Sequence, residues 1–139
     1  MINWKVDDVL EYTYISDAAK QGDGYGLYFC GYCNHFGVGK DVNYADAKTN
    51  YDAAIKEGID AAANNLGLLY AECLIDGVSK RVSYQKAAGY FDSCYDTIVE
   101  AKHNMACMLR YGYGFDKDID LAMQLFEEAT GEGYITIYM

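Results

Sequence analysis

Along this chain one pattern returns: a small or polar position, a large apolar side chain four residues on, a small one three later, and a glycine four after that. The copies read Glu11, Ile15, Ala18, Gly22; Ala47, Tyr51, Ala54, Gly58; and Ala122, Phe126, Ala129, Gly133, all at offsets 0, +4, +7 and +11. Offsets of +4 and +7 put a large and a small side chain on one face of a helix. A glycine at the end takes the left-handed conformation that terminates it. Between the last two of these copies, Ala87, Phe91 and Cys94 keep the spacing, but Ile98 stands where the glycine is due.

After each stop comes a second pattern, Gly22, Gly26, Cys30, Gly31 and then Gly58, Ala62, Leu66, Gly67, at offsets 0, +4, +8 and +9. Small residues at these places let two helices approach closely. The third copy, Ala101, Met105, Ala106, starts one residue early relative to Ile98, which predicts a shorter turn there. Gly37-Val-Gly39 and Gly112-Tyr-Gly114 mark the tight turn inside a unit. Sixteen residues separate Gly31 from Ala47 and Ala106 from Ala122, but twenty separate Gly67 from Ala87, so an insertion with a longer internal turn is expected in CLIDGVSKRV.

Periods of this length indicate stacked supersecondary units. Helices are predicted near 4–20, 24–35, 44–57, 60–73, 84–96, 100–111 and 119–131. They group as a leading helix (1–22), repeat 1 (23–58), repeat 2 (59–97) and repeat 3 (98–133) in a single domain. The ending YITIYM, 134–139, has β-propensity, yet also fits a helical cap on the last repeat or a tail.

At these residues the chain resembles the Sel-one-like repeat (SLR) family, relatives of the tetratricopeptide repeat. The matches are Ala62-x3-Leu66-Gly67-x2-Tyr70, the run Gly112-Tyr-Gly114-Phe115-x2-Asp118-x3-Ala122, and the unit endings AAKQG at 18–22 and AAIKEG at 53–58. Cys30 replaces the family's Leu in the first unit, Met105-Ala106 replaces Leu-Gly in the third, and its Tyr becomes Asn34 and Leu109. The resemblance implies an all-α, right-handed α/α superhelical solenoid of about three helix-turn-helix repeats after an N-terminal helix, acting as an adaptor or scaffold. It also implies that the first helix of each unit lines a concave groove. The tetratricopeptide groove positions, counted from Gly31, Gly67 and Ala106, select Tyr25, Tyr28, Tyr32, His35 and Phe36, then Asn64, Leu68 and Glu72, with Ala61 and Ala71 beside them. In the third unit they select His103, Arg110 and Tyr111, with Glu100 and Cys107.

Composition narrows the partner. Eleven basic against 21 acidic residues leave a net charge of −10, which repels phosphate backbones and anionic lipid and favours a protein or peptide with a basic surface. Nucleic acid and membrane are therefore not expected partners. Fifteen tyrosines supply core volume and contact area alike. The start MINWKVDDVLEY has early acids and no long apolar run, so neither a secretory signal nor a spanning helix is expected and a cytoplasmic setting is the default. Five cysteines without the regular pairing of secreted cysteine-rich SLR proteins fit free thiols.

Cys30-x2-Cys33-x-His35, with His103 and Cys107, has the makings of a metal set. The repeat register instead puts Cys30 in the core, and a mid-helix CxxC lacks the helix N-terminus that lowers a thiol pKa. No metal, cofactor or catalytic residue is expected, no G-x4-G-K-S/T loop occurs, and enzyme activity ranks third. Ahead of it stand a general adaptor and, second, a dedicated inhibitor such as a bacterial immunity protein covering a toxin's active site.

Overall fold

Each predicted helix is present in the computed structural model, which describes residues 6–134, with side chains from residue 9 onward. In order these are α1 (Val6–Lys20), α2 (Gly24–Phe36), α3 (Tyr44–Lys56), α4 (Asp60–Ala71), α5 (Lys80–Cys94), α6 (Val99–Tyr111) and α7 (Ile119–Gly131). No strand occurs among the described residues. Apart from Tyr134, the C-terminal segment expected to cap the last repeat lies outside them. The chain divides into two compact units, Met1–Leu66 and Gly67–Met139, with the boundary inside α4.

The starts of α2, α3, α5 and α7 are set by short polar side chains that satisfy the orphan N–H groups of a first turn. Asn43 accepts from the N–H of Asp46 at 3.0 Å and Asp118 from that of Leu121 at 3.0 Å, while Asp23 and Ser79 do the same for α2 and α5. Stops come from left-handed residues: Gly37 (φ 70°) and Gly112 (φ 72°) close α2 and α6. The corresponding position after α4 is Cys73, which holds φ 57° without being glycine, a geometry that costs an L-residue about 1–2 kcal/mol.

In the first unit α2 packs against both α1 and α3. A β-carbon at Gly31 would lie 2.6 Å from the Tyr51 ring, and one at Gly26 would lie 2.9 Å from the Ala18 β-carbon. Both glycines are thus required by close approach. Ala47, Tyr51 and Ala54 are fully buried. The matching residues of α1 are not: Glu11 is exposed, and Ile15 and Ala18 are half-buried.

The second unit repeats the device. A β-carbon at Gly67 would come 2.6 Å from the Phe91 ring. Ala87, Phe91, Ala122, Phe126 and Ala129 are all buried, α6 packs on α5 and α7, and Lys102 of α6 bridges Glu128 of α7 at 3.6 Å and Glu132, the residue that caps its C-terminus, at 3.0 Å. The Ser83 hydroxyl donates to the Tyr70 carbonyl, tying the start of α5 to α4.

Two turns differ from expectation. The segment between α4 and α5 has eight residues, 72–79, against seven in 37–43 and in 112–118, so the four inserted residues do not chiefly lengthen the turn. They extend α5 by one N-terminal turn, Lys80–Ser83, because Ser79 supplies a cap there. The link between α5 and α6, expected to be short, has four residues, 95–98, against three in 57–59. Without a glycine, Tyr95 stays right-handed (φ −65°) and Ile98 returns its N–H to the Cys94 carbonyl at 2.9 Å, leaving α6 with no side-chain cap.

Gly67→Ala is expected to destabilise the chain by about 1–3 kcal/mol through overpacking against Phe91. Gly89→Ala, where no atom lies within 4 Å of the added carbon, is expected to stabilise α5 by about 0.5–1 kcal/mol. Urea unfolding of the two variants checks the pair, and equal shifts would show that close approach does not fix Gly67.

Candidate partner-binding surface

Among the described residues, helix α2 carries the densest exposed aromatic face. Tyr25, Phe29, Tyr32 and Phe36 are exposed at 65, 46, 40 and 49 %, and their spacing of four, three and four residues makes one stripe along the helix. Exposed aromatics of this size in a row mark contact surface more than chance exposure. Beneath the stripe a cavity of about 410 Å³ opens between α1 and α2, walled by Tyr12, Ile15, Tyr28, Phe29, Tyr32 and Cys33, with Glu11 at its edge.

The stripe is stiffened from below. Tyr32 and Phe36 rings lie 4.6 Å apart, and Phe36 stacks on His35 at 4.0 Å. His35 Nδ1 meets the Tyr51 hydroxyl at 3.0 Å, while Asn65 Nδ2 donates to Tyr51 at 3.3 Å and to the Tyr28 hydroxyl at 3.4 Å. With Asn65 already donating to it, the Tyr51 hydroxyl is free to donate to His35, which makes Nδ1 the acceptor of a neutral imidazole. Burial lowers the His35 pKa to about 4 and raises that of Tyr51, so both stay uncharged. Asn34 donates to Asn50 Oδ1 at 2.8 Å, extending the polar layer.

The residues expected to line a groove therefore have different fates. Tyr25, Tyr32 and Phe36 are exposed and adjacent, and Tyr28 is half-buried at the cavity wall. His35 and Asn64 are buried at 6 and 5 % exposure. They belong to the polar layer, where Asn64 donates to Asn65 and His35 pairs with Tyr51. In the second unit Leu68, His103 and Arg110 are half-buried, and Glu72 and Tyr111 are exposed. Of these the structure joins Arg110 and Tyr111, the guanidinium lying 5.8 Å from the ring centre. Phe29 was missed, because the tetratricopeptide positions skip it; the seven-residue spacing of aromatics in α2 was the available signal.

The thiols and histidines form no activated set. Burial holds Cys33 up at about 11 and also raises Cys30 and Cys107. Cys107 Sγ is 3.6 Å from His103 Nε2, and burial lowers that histidine, so the pair rests as thiol and neutral imidazole. Among the described residues no group of three His, Cys, Asp or Glu side chains is placed to hold a metal ion.

His35 makes a pH prediction. Its folded pKa lies below the ordinary 6.5, so the unfolded chain binds the extra proton and stability falls as pH drops from about 6.5 toward 4. In urea unfolding, wild type is expected to lose a few kcal/mol more than His35→Asn between pH 7 and pH 4.5, at ~1.4 kcal/mol per pK unit. Parallel losses would show that His35 is not held neutral.

No protein-family model matches this sequence, and no curated protein matches it. Solved structures do. A protective antigen of uropathogenic Escherichia coli strains that displays an SLR fold superposes with a TM-score of 0.78 at 24 % identity, over 94 % of this chain and 27 % of that one. A Sel1 repeat protein from Oxalobacter formigenes gives 0.78 at 26 % identity, over 91 % of this chain and 51 % of that one. This chain thus spans about a quarter and about half the length of these two structures. The shared fold is an all-α helical repeat solenoid.

Proposed function

We propose that this chain, which has the Sel1-like repeat fold, is a non-catalytic module that binds a partner protein or peptide on the aromatic face of α2. The observation that carries the reading is the stripe Tyr25, Phe29, Tyr32 and Phe36 over a preformed apolar cavity. Rigid aromatics contribute large contact area at low entropic cost, and they dominate interface energetics. Glu11 at the cavity edge and the net charge of −10 favour a partner with a basic surface around an apolar anchor. Leu68, Glu72, His103, Arg110 and Tyr111 remain contact candidates in the second unit. Free cysteines at 30, 33, 73, 94 and 107 suit a reducing, cytoplasmic setting, and no helix among the described residues is long and apolar enough to cross a membrane.

The test compares tagged wild type with Tyr25→Ala/Tyr32→Ala in capture from the native host, partners being identified by mass spectrometry and affinities then measured on the purified pair. Both side chains are exposed, so the variant should keep its circular dichroism. The expected loss of affinity is at least about tenfold, ~1.4 kcal/mol. Undiminished capture would place the site elsewhere. A single partner held at subnanomolar Kd would favour a dedicated inhibitor, and several weak partners an adaptor.

A further inference from the structure

The extra turn of α5 assembles a surface that the repeat pattern does not anticipate. Lys80, its first residue, places Nζ 5.8 Å from the centre of the Tyr84 ring. Tyr84 stacks on Tyr113 at 4.8 Å with an 18° interplanar angle, and Tyr113 stacks on Tyr111 at 5.6 Å and 24°. Arg110 closes the row with its guanidinium 5.8 Å from the Tyr111 ring. The result is a ladder of three tyrosines with a cation at each end. Cavities of about 510 and 250 Å³ share Tyr84 and Tyr113, the first also lined by Lys80, Arg81 and Asp116.

The ladder is held in place before any partner arrives. Gly112 and Gly114, at φ 72° and 74°, turn the chain back so that Tyr113 meets Tyr84. A side chain at Gly114 would run into the Tyr84 carbonyl and the Ala88 β-carbon, so the turn sits directly on α5. Ring order of this kind reduces the entropy lost on binding.

Charge identifies the occupant. Lys20, Lys48 and Lys102 each pair with a carboxylate, whereas among the described residues Lys80, Arg81 and Arg110, like Lys40, Lys56, Lys86 and Lys117, have no carboxylate within ion-pair distance; what sets the first three apart is that they border one run of stacked rings. In a chain of net charge −10 these cations gather at one place, and two of them line the larger cavity together with a single carboxylate, Asp116. Tyrosine and arginine are the side chains most enriched where binding energy concentrates.

We propose that this ladder is a second docking surface, which takes an acidic segment of a partner protein, its carboxylates at Lys80, Arg81 and Arg110 and its apolar or aromatic side chains on the tyrosines. The proposal rests on the reading of the chain as a binding module and adds a site whose partner chemistry is opposite to that of the α2 face. Cation-flanked rings also suit a single nucleic-acid strand. The overall negative field opposes a long polyanion far more than a short acidic segment that touches only this patch.

Fluorescence anisotropy on the full chain tests it, with a labelled peptide alternating Glu and Phe, the same peptide with Gln for Glu, and labelled oligothymidylate. The Glu peptide is expected to bind at least about tenfold more tightly than the Gln peptide and to weaken as salt rises. Lys80→Gln/Arg110→Gln and, separately, Tyr113→Ala should each weaken it about tenfold, with circular dichroism confirming the fold. Tyr25→Ala/Tyr32→Ala should leave it unchanged. Equal binding of the two peptides, preference for the oligonucleotide, or indifference to the ladder variants overturns the assignment. If Tyr25→Ala/Tyr32→Ala leaves host-partner capture intact while peptide binding still needs the ladder, the α2 reading fails and this one stands.

Discussion

The fold depends on one contact made twice: a helix backbone stripped of its β-carbon lying against an aromatic face. Gly31 lies under Tyr51, and Gly67 under Phe91. A methyl at either place would intrude on the ring, so the helices would have to part and the alanines beside each ring would lose their burial. In the third copy Ala106 and Phe126 keep the same sequence spacing as Gly31 and Tyr51, and both are fully buried. Alanine at that place shows that the repeat calls for a small residue, while glycine is required at Gly31 and Gly67, where a β-carbon would meet the ring.

In the first unit the ring is a tyrosine, and that choice shapes everything around it. A fully buried phenol needs hydrogen-bond partners, and His35 and Asn65 supply them. Asn65 is in turn shared with Tyr28, and His35 carries Phe36 on its other side. The polar layer therefore fixes the inner edge of the same α2 face whose outer edge is the exposed stripe. Phe91, at the matching place in the second unit, has no hydroxyl and imposes no such layer.

This also explains how much was legible. Helix number, order and stops were readable because they rest on the size of single residues at fixed spacing, as in Ala47-Tyr51-Ala54. The roles of His35 and Asn64 were not, because the register says which way a helix position points and nothing about a buried hydroxyl reached from another helix. The insertion before α5 was visible as four additional residues, but whether they formed loop or helix turned on Ser79 acting as a cap, a preference shared by every serine near a turn. Tyr84 and Tyr113 lie 29 positions apart, and only the return of the chain at Gly112–Gly114 stacks them.

The two surfaces divide the chemistry of a strongly acidic chain. On the proposed α2 surface Glu11 and the global field have the same sign, so they would assist the approach of a cationic partner from long range, with the aromatics contributing on contact. On the ladder the field and the patch oppose each other: attraction at Lys80, Arg81 and Arg110 prevails only within about a Debye length, roughly 8 Å at physiological salt. Association there gains no long-range steering, and its specificity has to come from matching carboxylate spacing to the distance between the capped ends. The stacked rings suit that demand, since they set the distance between Tyr84 and Tyr111, whose faces the two capping cations approach.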